Sequence, residues 1–139
     1  MNKILIFLFV IILTSCSKEL DLDKFPQEWK LISMSYDQIA PTIIKTGSEM
    51  EWQEAYNLNS DGIFTKSRNR DGIISVASGT FVLKDISNEK YFELSFVTGI
   101  SLLASCTPGK EMLWVRCETK MQGTWNACDG IGLEYERIK

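Results

Sequence analysis

The chain has 139 residues, 15 basic and 18 acidic side chains and no histidine, which bounds it to one ordinary domain with a small negative charge. That balance, with no basic run longer than two residues, excludes electrostatic binding of nucleic acid. The missing histidine removes the commonest general base, the commonest zinc ligand and every Ser-His-Asp or Cys-His device.

Lys3 precedes ten apolar residues, Ile4 to Leu13, and Leu13-Thr14-Ser15-Cys16 closes the segment. A helix needs roughly 20 residues to cross a bilayer, so this run reads as the core of a secretory signal. The tetrapeptide resembles the bacterial lipobox, which implies cleavage before Cys16 and acylation of that cysteine. Removing 15 of the 139 residues leaves 124, with 14 basic against 18 acidic side chains and a net charge of −4. The expected membrane partner is therefore met through acyl chains on Cys16, each buried methylene contributing about 0.8 kcal/mol. Ser17 to Lys24 is short and polar and reads as a tether. It also resembles the surface-export signal of Bacteroidetes lipoproteins, so the outer membrane is the expected site, with its periplasmic and cell-surface faces both open. The expected organisation is signal peptide 1–15, lipidated N-terminus and tether 16–27, and one domain over 28–139.

From there the apolar pattern has period two. It predicts strands at Glu28 to Tyr36, Met50 to Leu58, Ile63 to Ser67, Ile73 to Lys84 with a break near Gly79, Tyr91 to Phe96, Ser101 to Cys106, Met112 to Glu118 and Gly132 to Ile138. Turn signals punctuate them at Asn59 to Gly62, Asn69 to Gly72, Asp85 to Asn88, Pro108-Gly109 and Asp129-Gly130. This is the rhythm of an all-β sandwich or barrel. The one long connection, Asp37 to Glu49, carries Ile39, Ile43 and Ile44 behind Pro41 and is expected to fold back as a short helix or lid.

Trp29 on the first strand, the hairpin Tyr56 to Phe64, Gly79-Thr80-Phe81 and the closing Leu133 to Ile138 together resemble the lipocalin-like domain of small Bacteroidetes lipoproteins. The resemblance implies a single eight-stranded antiparallel up-and-down barrel whose interior is filled by side chains or holds one small ligand. It also implies that Arg137 packs across Trp29 and closes one end, a contact of about 0.5 to 2 kcal/mol. Lipocalins carry Gly-x-Trp on that strand, whereas Gln27 stands at the glycine position here.

No phosphate-cradling glycine pattern and no Cys-x-x-Cys occur, and the pairs Glu134/Glu136 and Asp21/Asp23 read as solvated acids. No cofactor, metal site or catalytic residue is expected. A hairpin tip at Pro108-Gly109 puts Cys106 about 20 Å along the strand from Cys117, beyond disulfide reach. A turn at Gln122-Gly123 sets Cys117 opposite Cys128, so that pair is the expected disulfide and Cys106 the free thiol. A turn at Asp129-Gly130 instead leaves Cys128 in a loop, reaching elsewhere.

Tyr56, Phe64, Phe81, Phe92 and Phe96 sit at alternate strand positions and are the candidate ligand-binding residues. They either interdigitate to a solid core or leave a pocket near the Asp37 to Glu49 loop. The function expected is a non-enzymatic lipoprotein binding a small apolar molecule in or at the mouth of the barrel. The alternative is a protein-binding lipoprotein, an inhibitor or an accessory subunit at the cell surface. Ser78-Gly79-Thr80-Phe81 is a faint echo of the Ser-Gly-x-x-Tyr loop of lysozyme inhibitors.

Overall fold

The computed structural model describes residues 21–139; Cys16, the acylation expected of it and the signal sequence expected before it lie outside them. Nine strands occur among the described residues: β1 (Gln27–Tyr36), β2 (Ile43–Thr46), β3 (Gln53–Leu58), β4 (Ile63–Arg70), β5 (Ile73–Ile86), β6 (Glu89–Thr98), β7 (Lys110–Cys117), β8 (Lys120–Gly123) and β9 (Gly132–Arg137). All pairings are antiparallel, in the order β1-β3-β4-β5-β6-β7-β8-β9, and β9 pairs back onto β1. Eight strands thus close a barrel of lipocalin-like topology, and closure leaves its wall without a free edge.

β2 is the extra strand. β1 meets β9 along one edge, and its opposite edge meets β3 through Gln27 to Lys30 and β2 through Ser33 to Tyr36. β2 and β3 are therefore two halves of one return path, interrupted by the 3-10 turn Gly47–Glu49. The predicted lid over 37–49 is this flap, and it does not bury its isoleucines: Ile39, Ile43 and Ile44 are all exposed.

The Asp-Gly and Ser-Asn signals do make tight hairpins, with Asp71-Gly72 and Ser87-Asn88 at positive φ between Arg70 and Ile73 and between Ile86 and Glu89. Two expectations about strands fail. Ser101 to Cys106 is not a strand; Ile100–Leu102 forms a 3-10 turn inside a loop spanning 99–109. β5 runs through Gly79 without a break, and Ser78 to Phe81 lies in mid-strand, so the echo of an inhibitor loop has no loop to support it.

Inward positions alternate along each strand, and a bulge at Ile32 moves the inward phase of β1 from Trp29 and Leu31 to Met34. One end is sealed by the segment preceding β1. Buried Gln27 donates its amide to Leu22 O (2.8 Å) and accepts from Trp29 Nε1 (3.0 Å), so the residue at the departed glycine position clamps the lead-in chain. Arg137 stands opposite Trp29 in register and donates to the carbonyls of Asp21 (3.1 Å), Lys24 (3.1 Å) and Lys139 (3.0 Å). Phe25 packs on Phe81 just inside, with ring centroids 5.5 Å apart.

The disulfide differs from expectation. Cys106 joins Cys128, with Cα atoms 5.7 Å apart, and no Cys117–Cys128 bond forms. The hairpin between β7 and β8 turns at Glu118-Thr119, since Cys117 pairs with Lys120, so β8 carries Gln122-Gly123 within a strand and not at a tip. Cys117 stays at that turn, its Sγ 3.5 Å from Thr119 Oγ1, while Cys128 lies in the 3-10 turn Trp125–Cys128 at the opposite end of the barrel. The bond spans 22 residues, which by chain entropy stabilises the fold by about 3 kcal/mol. Cys106→Ser and Cys128→Ser should therefore lower the thermal midpoint equally, and the double variant should be no worse than either. Peptide mapping of the unreduced protein should join 106 to 128; a peptide joining 117 to 128 would contradict this register.

Candidate functional site

The lumen side of the strands is not uniformly apolar. Glu54 on β3, Lys66 and Arg68 on β4 and Glu111 on β7 occupy inward positions, in phase with Tyr56, Phe64 and Leu113. Lys66 has no exposed side-chain surface, and Glu54 and Glu111 are buried with it. The ammonium contacts Glu111 Oε1 (2.7 Å) and Glu54 Oε1 (3.2 Å) and donates to the carbonyl of Leu102 (2.8 Å). Arg68 donates through Nε to Glu54 Oε2 (2.6 Å) and through Nη2 to the same Leu102 carbonyl (3.2 Å). Tyr135 donates to Glu54 Oε1 (2.5 Å), and Tyr56 makes a short bond to Glu111 Oε2. Two cations face two carboxylates, so the cluster is neutral. Buried charge is tolerated in this form, each ion paired and hydrogen-bonded.

This cluster holds the 99–109 loop in the end of the barrel opposite the sealed one. Leu102 O is anchored by Lys66 and Arg68, Ala104 N donates to Glu111 Oε1 (2.6 Å), and the side chains of Leu102 and Ala104 are buried. The Cys106–Cys128 bond ties the same loop to the connection before β9. The loop is a plug, and beside it opens a mouth cleft of about 290 Å³ lined by Arg68, Arg70, Ile73, Ser75, Ser101 and Leu102. Trp52 stands next to it, clasped by Arg68 and Arg70 at 4.4 and 4.9 Å from ring centroid to guanidinium carbon. Its buried indole N–H has no hydrogen-bond acceptor among the described residues.

A closed eight-stranded barrel has a shape compatible with holding a small molecule in its lumen. Here Tyr56, Phe64, Phe81, Phe92 and Phe96 lie together in the core, none more than 9% exposed. They pack edge to face, Phe64 on Phe96 at 5.0 Å, Phe81 on Phe92 at 5.8 Å and Tyr56 on Tyr135 at 5.1 Å. The mouth cleft is made by other residues. Sequence reasoning missed Glu54, Lys66, Arg68 and Glu111; the available signal was polar side chains in phase with core-facing ones, as in Glu54-x-Tyr56-x-Leu58 and Glu111-x-Leu113-x-Val115.

The acid pairs considered from sequence sit elsewhere: Glu136 bonds Lys120 (3.0 Å), Ser33 donates to Glu134 (3.4 Å), and Asp21 pairs with Lys24 (2.7 Å). No group of three or more Cys, Asp or Glu side chains among the described residues is arranged to hold a metal ion.

Burial, and then the carboxylates beside them, push the phenols of Tyr56 and Tyr135 well above their ordinary value of 10.0. Burial and the bond to Glu51 push Tyr36 up to about 12. The unfolded chain thus releases these protons first, so the associated stability is full below pH 10.0 and is lost as pH rises above it. Ultraviolet titration should show the phenolates of Tyr56 and Tyr135 appearing only with unfolding; reversible ionisation near pH 10.0 in the folded barrel would contradict their placement. Lys66→Met strands two buried carboxylates and should cost about 3 to 5 kcal/mol in urea unfolding. Lys84→Met, which removes a surface pair with Glu93, should leave the midpoint unchanged within scatter.

Comparison of the chain with family models, with curated proteins and with solved structures finds no match in any of the three.

Proposed function

We propose that this chain is a non-enzymatic, lipid-anchored binding protein of the bacterial outer membrane that takes a small, partly apolar molecule at the mouth of its barrel. The observation that carries the reading is the mouth cleft, where apolar Ile73 and Leu102 face two guanidiniums and two hydroxyls next to the plugged lumen. Convergent polar groups beside apolar surface are a usual feature of a ligand site, and about 300 Å³ is the lower end of the usual size range. Two larger hollows, one of about 510 Å³ bordered by Ile32, Ile44, Arg116 and Glu134 and one of about 330 Å³ bordered by Lys30, Glu54, Arg68 and Ile138, are lined by no residue of the plug.

The chain enters at the sealed end, where Asp21 and Lys24 meet Arg137. Acyl chains on Cys16, a few residues upstream, would therefore turn that end to the membrane and the mouth away from it. Tyr56, Phe64, Phe81, Phe92 and Phe96 fill the lumen beneath the plug, which leaves the mouth as the place for a ligand. A second reading, a protein-binding lipoprotein, is favoured by the exposed Ile73, Ile74, Val76, Val97 and Ile100, gathered at the mouth end of β5 and β6.

Protein purified from its own host and denatured should release a small molecule detectable by mass spectrometry, and Ser101→Trp, which fills the cleft, should purify without it. Equal yield of that molecule from both proteins would overturn the mouth site. Cys16→Ala should move the protein from the membrane fraction to the soluble one; retention through a high-salt wash would overturn the anchor.

A further inference from the structure

The mouth of the barrel presents more donors than acceptors. Lys66 and Arg68 both point donors at the Leu102 carbonyl, 2.8 and 3.2 Å away, so one neutral oxygen serves two cations. Arg70, half exposed, makes one side-chain bond, Nη2 to Glu51 Oε2 at 2.9 Å, and so has guanidinium N–H groups to spare. The indole N–H of Trp52, held between the two arginines, is buried without an acceptor among the described residues, an unfavourable state in a protein interior. Ser75 and Ser101 add two hydroxyls to the cleft wall. Against these donors the cleft sets one carboxylate of its own, that of Asp71 at the hairpin tip, besides the lone pairs of the two hydroxyls. Arg68 and Arg70 are each paired with one carboxylate, Glu54 and Glu51, and the guanidinium N–H groups left over are forks that suit carboxylate and phosphate oxygens in particular.

We propose that the mouth cleft is a head-group site for a compact anionic amphiphile, whose carboxylate or phosphate oxygens bridge Arg68 and Arg70 while its apolar part lies on Ile73 and Leu102. This rests on the mouth-binding reading above and names the class of ligand. The volume of about 290 Å³ limits the occupant to a small molecule, and the packed aromatic core beneath denies it a long chain inside the lumen.

The test is nitrogen-proton NMR on the secreted Cys16→Ala chain, following the indole N–H signals of its four tryptophans, with the Trp52 signal assigned from Trp52→Phe. Octanoate, the neutral octan-1-ol and inorganic phosphate are titrated separately. Octanoate should shift the Trp52 indole signal and the Ser101 and Leu102 amides saturably, with affinity at least about tenfold above octan-1-ol, as a charge-assisted bond of 1.5 kcal/mol or more requires. Arg70→Gln should bring octanoate down to the affinity of octan-1-ol and leave the alcohol unchanged; its surface position makes unfolding no part of that result. Equal binding of octanoate and octan-1-ol overturns the anionic head group while the mouth-binding reading stands. Phosphate binding as tightly as octanoate overturns the apolar half of the proposal. No shift with any of the three overturns both readings.

Discussion

Lys66 is the constraint on which the mouth end of this barrel depends. Its ammonium, removed from water, has to be met on every side, and it is met by two carboxylates from β3 and β7 and by a carbonyl from the plug. Each partner is fixed in turn, Glu54 by Tyr135 and Arg68, Glu111 by Tyr56 and the amide of Ala104. Apolar residues of the same volume pack such a space about as stably, since desolvation offsets most of the Coulomb attraction. What ions add is direction: the loop can sit in the mouth only where Leu102 O and Ala104 N reach their partners.

The rest of the lumen follows from side-chain volume. Aromatic rings from β3, β4, β5, β6 and β9 meet in edge-to-face pairs, and Tyr56, Phe64 and Phe92 have no exposed surface, so no space wide enough for water touches them. A barrel of eight strands has an interior that side chains can fill. Space for a ligand is left where the strands outrun that filling, at the mouth, where Arg70 and Ile73 flank the tight turn of the β4–β5 hairpin.

The strands were legible in the sequence because period two and Asp-Gly turns are local signals, whereas their closure into a barrel was implied by the resemblance alone. Tyr56, Phe64, Phe81, Phe92 and Phe96, picked out at alternate strand positions, all face the core. What failed depended on distant partners. Gly79 looked like a strand break, but a Cβ there would lie 1.9 Å from Ser95 O, so glycine admits the close approach of β6, which bulges at Val97. The short β8 was invisible because Lys120 to Gly123 carries no β-branched residue, and without β8 the cysteine register could only be guessed from turn signals. Lys66 and Glu111 were missed because nothing local announces that each has an opposite charge waiting across the lumen. The two arginines of the mouth were passed over for the same reason: Ser67-Arg68-Asn69-Arg70 reads as a polar hairpin tip until the plug and Trp52 are in place beside it.

The central claim is that buried ion pairs, and not surface contacts, hold the plug in the mouth, and native-state hydrogen exchange at the Ala104 amide tests it most directly. That amide donates to Glu111 Oε1 and lies in a loop, where exchange is ordinarily fast. The account predicts that Ala104 exchanges as slowly as the strand amides of β6 and that Lys66→Met speeds its exchange relative to those amides. Exchange of the Ala104 amide at the rate of an open loop in the unaltered protein would contradict it.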